Sequence, residues 1–144
     1  MPAIDVVSDA SVVLKWFHAA GEEEVESARA LLEHYSRHAI GLQILDLTPY
    51  EVGNALLRGR ARVAADRVAI VLEALADICP RIAPTSSHLR DAANLAELHE
   101  LTLYDAAYAA VAKASRAELV TLDRALLKSG LGRRPSAVIA DIAP

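Results

Sequence analysis

Four short stretches carry acids where an acid can do chemistry. They are Asp9-Ala-Ser11, Glu51-Val-Gly-Asn54, the run Thr102-Leu-Tyr-Asp105, and Thr121-Leu-Asp123. Each sits at an expected strand-to-helix switch or in the first turn of a helix. Taken singly, each acid is an ordinary helix-start residue, because a carboxylate caps unpaired N–H groups and complements the positive end of the helix. Thr102 with Asp105 approximates the Thr-x-x-acid capping box. Taken as a group, they point to a metal site. Crowded carboxylates repel, so one or more keeps its proton at neutral pH unless a cation is present. An all-oxygen acidic cluster suits Mg²⁺ or Mn²⁺. Asp9, Glu51, Asp105 and Asp123 are therefore the candidate metal-binding and catalytic residues. Ser11, Asn54 and Thr121 are candidates for orienting those carboxylates, with local capping or turn hydrogen bonds as their alternative role.

Other chemistries find less support. The five histidines are scattered, and His34 and His38, four apart, lack the Glu of a His-Glu-x-x-His zinc helix. Gly130-Leu-Gly132 is followed by Arg133-Arg134-Pro135, so no phosphate-cradling glycine loop is present. Cys79 stands beside Pro80 at the expected end of a core helix, and no nucleophilic triad motif occurs. A phosphatase-like hydrolase would call for Asp-x-Asp after the first strand, where this chain has Asp9-Ala-Ser11. A non-catalytic interaction module, in which the helix-start acids merely cap, remains the other alternative.

Positioning four acids requires a folded scaffold, and the composition supplies one. The 144 residues are 53% hydrophobic, enough for a packed core in one domain spanning 1–144. Mean hydropathy is +0.24, which excludes a disordered segment. No apolar run reaches bilayer length and no secretory signal pattern opens the chain, so no membrane partner is expected. The single cysteine excludes an internal disulfide framework and fits a reducing, cytoplasmic interior. A net charge of −4 argues against a general polyanion binder, so any nucleic-acid contact must be local or depend on cations held by the acids.

Strands are expected at 4–8, 41–45, 81–83, 119–122 and 137–139. Helices are expected at 11–18, after the Gly21-Glu22-Glu23-Glu24 loop and acid-rich start, from Thr48 through Leu56 to a turn after Gly59, and at 64–78. Others follow to about His99, across 106–112, and over 123–129, the last ended by Gly130. Thr48-Pro49-Tyr50-Glu51 reads as cap, Pro at the first position and acid at the third. Val25, Ala28, Leu32 and Tyr35 share one face, as do Ala65, Val68, Val71, Leu72, Leu75 and Ile78. Strands interspersed with helices give an α/β sandwich with a mainly parallel sheet. Ligands collect at the carboxyl ends of such strands, where all four acids can lie.

The set Asp9-Ala-Ser11, Glu51-x-x-Asn54-Ala-Leu56, Tyr104-Asp105-Ala-Ala-Tyr108 and Thr121-x-Asp123 resembles the PIN-domain ribonucleases, and within them the VapC-type toxins of toxin–antitoxin pairs. The likeness runs from Val6 to the last expected strand, and the chain departs at none of the four acid positions. It implies a PIN-like three-layer sandwich with a mainly parallel four- to five-stranded sheet flanked by helices. It also implies a homodimer, a small VapB-like antitoxin partner, and endonucleolytic cutting of RNA with Mg²⁺ or Mn²⁺. In that chemistry a divalent ion lowers the pKa of bound water and offsets charge growing on the phosphoryl oxygens. Lys15, Arg58, Arg60, Arg62, Lys113, Arg116, Arg124, Lys128, Arg133 and Arg134 lie near the acid motifs as phosphate or antitoxin contacts or as solvated charges. With six aromatics no extended base-stacking platform is expected, and Tyr50 and Tyr104 are expected to pack beneath the acids they precede.

Overall fold

The computed structural model describes residues 4–19 and 23–142, and Gly21 and Glu22 of the expected loop lie outside them. Strand β1 (Ile4–Ser8) leads through helices α1 (Ala10–Phe17) and α2 (Val25–Ser36) to β2 (Ile40–Leu45). Helices α3 (Thr48–Arg58) and α4 (Ala65–Ile78) lead on to β3 (Arg81–Ile82). Then α5 (Ser86–His99) and α6 (Leu103–Ala114) return the chain to β4 (Glu118–Val120), followed by α7 (Arg124–Ser129) and α8 (Pro135–Ala140). The sheet order is β3-β2-β1-β4, and every pairing is parallel. Parallel neighbours need crossovers, and the helices provide them.

Alternation along the strands builds two cores. Val6, Leu42, Ile44 and Val120 face α1 to α4 and α8, while Val7, Leu45 and Leu119 face α5 and α6. With both faces covered, the strands read as nearly continuous apolar runs, and the three-layer α/β sandwich expected from the motifs is what the chain adopts. On the first face, the Trp16 indole N–H donates to the Ala28 carbonyl at 2.9 Å, fastening α1 to α2. On the second face, the small residues Ala106, Ala107, Ala109, Ala110 and Ala112 are all buried, which lets α6 lie close to the sheet and to α5. Among the described residues no helix is long and apolar enough to cross a membrane.

Three local expectations need correction. Residues 137–139 lie in helix α8 and form no strand. Pro135 presets a helical φ at the first turn, and the Glu24 carboxylate accepts from the Ser136 backbone N–H at 2.8 Å and from its hydroxyl at 2.7 Å. Helix α8 thus obtains its capping acid from a distant loop, which a local reading of Ala-Val-Ile misses. The edge place next to β4 goes instead to a single parallel bridge between Val120 and Arg133. Secondly, Thr48 is not the cap of α3. Leu47 already has helical backbone angles and takes the cap position, leaving Thr48 as the first helical residue with its side chain turned to the interior. Thirdly, Tyr50 and Tyr104 are 81% and 65% exposed, so neither packs beneath an acid. In addition, His38 lies beyond the end of α2 with φ 61°, which removes it from the face that carries His34.

Candidate active site

Asp9 follows β1 directly. Its backbone N–H donates to the Val120 carbonyl at 3.2 Å, so the residue is fixed between β1 and the edge strand β4. Its side chain is the N-cap of α1, accepting from Val12 N–H, and is almost entirely buried. Two hydroxyls serve it further. Ser11 Oγ donates to Oδ1 at 2.6 Å and Thr121 Oγ1 donates to Oδ2 at 2.5 Å. Burial nevertheless dominates, and with some help from the charge of Asp105 it pushes the Asp9 carboxyl up to about 7 against three hydrogen bonds that favour ionisation.

The same hydroxyls reach the second acid motif. Ser11 Oγ accepts from the Leu122 N–H at 2.8 Å, and Thr121 Oγ1 accepts from the Asp123 N–H at 2.9 Å. Each hydroxyl thus joins the Asp9 carboxylate to the backbone leaving β4. Asp123 itself caps α7, its Oδ2 accepting from Leu126 N–H at 3.0 Å, and Gly130 ends that helix in the left-handed conformation that glycine tolerates. Asn54 has no such link. It is exposed on α3, lines the groove that Tyr50, Leu57 and Leu72 share, and among the described residues makes no hydrogen bond to any of the four acids.

Thr121 is held tightly from behind as well. A Cβ placed on buried Gly132 would come within 2.5 Å of Thr121 Cγ2 and 3.6 Å of Leu119 Cδ2. Thr121 is tied at both ends of its hydroxyl and cannot swing aside without releasing Asp9 or Asp123. Gly132→Ala is therefore expected to cost roughly 1–3 kcal/mol, the usual range for overpacking, read by urea unfolding. A neutral result would mean that the turn after α7 yields more easily than its packing suggests.

Glu51 stands in the first turn of α3, and its Oε1 accepts from the Tyr108 hydroxyl at 2.8 Å. Asp105 stands in the first turn of α6, its backbone N–H bonded to Thr102 Oγ1 at 3.1 Å as the capping reading requires. Electrostatics ties the four acids together through Asp105. Burial raises the Glu51 carboxyl, and the Asp105 charge raises it further. Burial also raises Asp105, and the Asp123 charge adds to this. Since Asp105 acts on Asp9 too, each of the other three acids is coupled to it.

The donor set is hard carboxylate oxygen, suited to Mg²⁺ or Mn²⁺. Among the described residues, no three His, Cys, Asp or Glu side chains stand close enough to hold a metal ion as they are. That is compatible with a cation site of this kind. Mg²⁺ is commonly held by one or two carboxylates directly, with water completing the shell. Burial is the first cause of the upward shifts on Asp9, Glu51 and Asp105, and neighbouring acid charge the lesser one. Cys79, by contrast, is buried at the end of α4 with its thiol pushed up to about 11, so it is no nucleophile.

A family model for the PIN domain matches residues 6–130. The chain belongs to the PIN domain family. It is 35% identical over 125 residues to Ribonuclease VapC3 of Pyrobaculum aerophilum, covering 84% of this chain and 91% of that protein. Among solved structures it is similar to PAE2754 of Pyrobaculum aerophilum, at 27% identity, TM-score 0.69 and 96% of each chain. It also shares its fold with Mycobacterium tuberculosis VapC20, described as a toxin that cleaves the sarcin–ricin loop, at 15% identity and TM-score 0.66, covering 87% of this chain and 95% of that one. The matched residues include all four acid motifs, and Asp9, Glu51 and Asp123 follow β1, β2 and β4 in the chain. Sequence reasoning passed over Thr48 and Tyr108, whose hydroxyls are linked to each other and to Glu51. The available signal was spacing: Thr48 lies three residues before Glu51 and Tyr108 three after Asp105, one helical turn in each case.

Proposed function

We propose that this PIN-domain chain is a divalent-metal-dependent endoribonuclease that acts in the cytoplasm as the toxin of a toxin–antitoxin pair. The observation that carries the reading is the pair of hydroxyls, Ser11 and Thr121, that tie the buried Asp9 carboxylate to the backbone at Leu122 and Asp123 where β1 and β4 end. The likeness to a ribonuclease over most of both chains supports the choice of RNA as substrate. Residues 1–144 act as one domain, working as a homodimer and restrained by a small VapB-like antitoxin.

Asp9, Glu51, Asp105 and Asp123 would hold Mg²⁺ or Mn²⁺. When bound, the ion supplies a nucleophile at neutral pH and offsets charge on the phosphoryl and leaving oxygens of the phosphodiester. The protein's part is to orient. Ser11 and Thr121 keep both oxygens of Asp9 in a fixed plane, and the same two hydroxyls hold the backbone at Leu122 and Asp123. Arg133 is committed elsewhere, paired with Glu118 at 3.3 Å and Asp141 at 2.8 Å, so it serves the fold before any phosphate.

The test is cleavage of a mixed cellular RNA by the purified chain in Mg²⁺, in Mn²⁺ and in excess EDTA. Discrete fragments in either metal, absent in EDTA and restored by metal, are expected. Cutting that continues in EDTA would refute the metal reading. No cutting, with no rise in melting temperature on adding Mn²⁺, would leave the acids as helix caps alone.

A further inference from the structure

Thr48 and Tyr108 are both fully enclosed, at 0% and 1% exposure, and a polar path runs through them to Glu51. The backbone N–H of Leu45, the last residue of β2, donates to Thr48 Oγ1 at 3.1 Å. Thr48 Oγ1 lies 2.7 Å from the Tyr108 hydroxyl, which donates to Glu51 Oε1 at 2.8 Å. The direction of this chain is fixed by its ends. An ionised carboxylate only accepts, so Tyr108 gives its single proton to Glu51. Its oxygen must then receive the Thr48 proton, while the Thr48 oxygen receives the Leu45 N–H. Every group is satisfied, and the path is anchored in the backbone of the sheet.

Packing alone does not call for this arrangement. A phenylalanine would fill the same space among the small residues of α6 without bringing a hydroxyl that must be paired once buried. Helix geometry also matches the path to the site, since Tyr108 lies one turn after Asp105 on α6 and Thr48 one turn before Glu51 on α3.

We propose that Tyr108, backed by Thr48, is a positioning residue that fixes the Glu51 carboxylate by occupying Oε1 and leaves its other oxygen for the divalent ion. This rests on the reading of Glu51 as a metal-holding residue. The path sets how firmly the cation is held, and the phosphodiester never touches it.

Mn²⁺ binding by calorimetry and RNA cleavage against Mn²⁺ concentration test this in wild type, Tyr108→Phe, Thr48→Val and Thr48→Ser. Tyr108→Phe is expected to raise the Mn²⁺ dissociation constant roughly 10–100-fold, the range for losing a partner of a metal ligand. The Mn²⁺ needed for half-maximal cleavage should rise by the same factor, with the rate at saturation within about threefold of wild type. Thr48→Val should move the same way, and Thr48→Ser, which keeps the hydroxyl, should restore wild-type binding. A purely structural tyrosine would lower the melting temperature and leave the Mn²⁺ dissociation constant unchanged, and that result overturns the proposal. If wild type binds Mn²⁺ and Tyr108→Phe binds it equally, only this inference falls. If wild type binds none, the four-acid reading falls and takes the inference with it.

Discussion

Asp105→Asn is expected to remove RNA cleavage while making the metal-free chain more stable. Asp105 is the acid through which the other three are coupled, so its charge is the one whose loss relieves the most repulsion. As a first-turn acid of α6 it also gains from the helix N-terminus, an effect of about 0.3–1 kcal/mol that Asn would lose in part. Its carboxyl is nonetheless raised, by burial first and by Asp123 second, so the unfavourable influences outweigh the favourable one. The amide keeps the shape and removes the charge. Cleavage should fall by more than about 100-fold, since on the proposed reading a group that helps bind the ion and balance its charge is gone. In EDTA the melting temperature should rise, but only modestly, because Asp105 is half-exposed and water screens its charge. In Mn²⁺ the order should invert, with wild type stabilised and the variant unmoved. Thermal melts of both proteins in both conditions give the result, and a variant less stable than wild type in EDTA would mean that Asp105 is a cap and little more.

Metal-free stability is expected to fall as pH rises from 5 to 8. Most proteins behave otherwise toward acid, because native carboxyls are usually depressed. Here the resolved carboxyl shifts, on Asp9, Glu51 and Asp105, are all upward. Asp9 titrates near 7 when folded and at its ordinary 3.8 when unfolded. Between those values the native state holds a proton that the unfolded state lacks, so stability decreases with pH across the window. The stabilisation is complete below the unfolded value and gone above the folded one. Asp9 alone accounts for roughly 2–3 kcal/mol between pH 5 and 8. Urea unfolding in EDTA at several pH values measures it, and Asp9→Asn should flatten the slope. Saturating Mn²⁺ should reverse the trend, because the ion needs the ionised carboxyl and binds better as protons leave. Metal-free stability that climbs from pH 5 to 8 would contradict a buried Asp9 whose carboxyl is raised.

The acid motifs were legible in the sequence because their signals are local. A β-rich run ending in Asp9, a Thr-capped start before Asp105, and Thr121-Leu-Asp123 before a helix closed by Gly130 each lie within a few residues. The sheet was legible for a related reason, since Val6 and Val7 or Leu119 and Val120 are apolar on both faces, as a doubly covered strand requires. What escaped depends on distant partners. Helix α8 is capped by Glu24 from 112 residues away, so Ala-Val-Ile taken locally resembles a strand. Thr48 looked like a cap until Leu47 took that place and Tyr108, 60 residues on, claimed its hydroxyl. Tyr50 and Tyr104 neighbour site acids in sequence, yet helical rotation carries adjacent residues to different faces, and both emerge into solvent.

Mn²⁺ binding to wild type and to four single variants, Asp9→Asn, Glu51→Gln, Asp105→Asn and Asp123→Asn, measures most directly whether these acids form one cation site. Asp66→Asn, an exposed first-turn acid of α4 outside the group, serves as the control. Stoichiometric binding by wild type and by the control, weakened at least about tenfold in each of the four, is the predicted result. Wild type that binds no Mn²⁺, or four variants that bind it as tightly as wild type, would contradict a shared site.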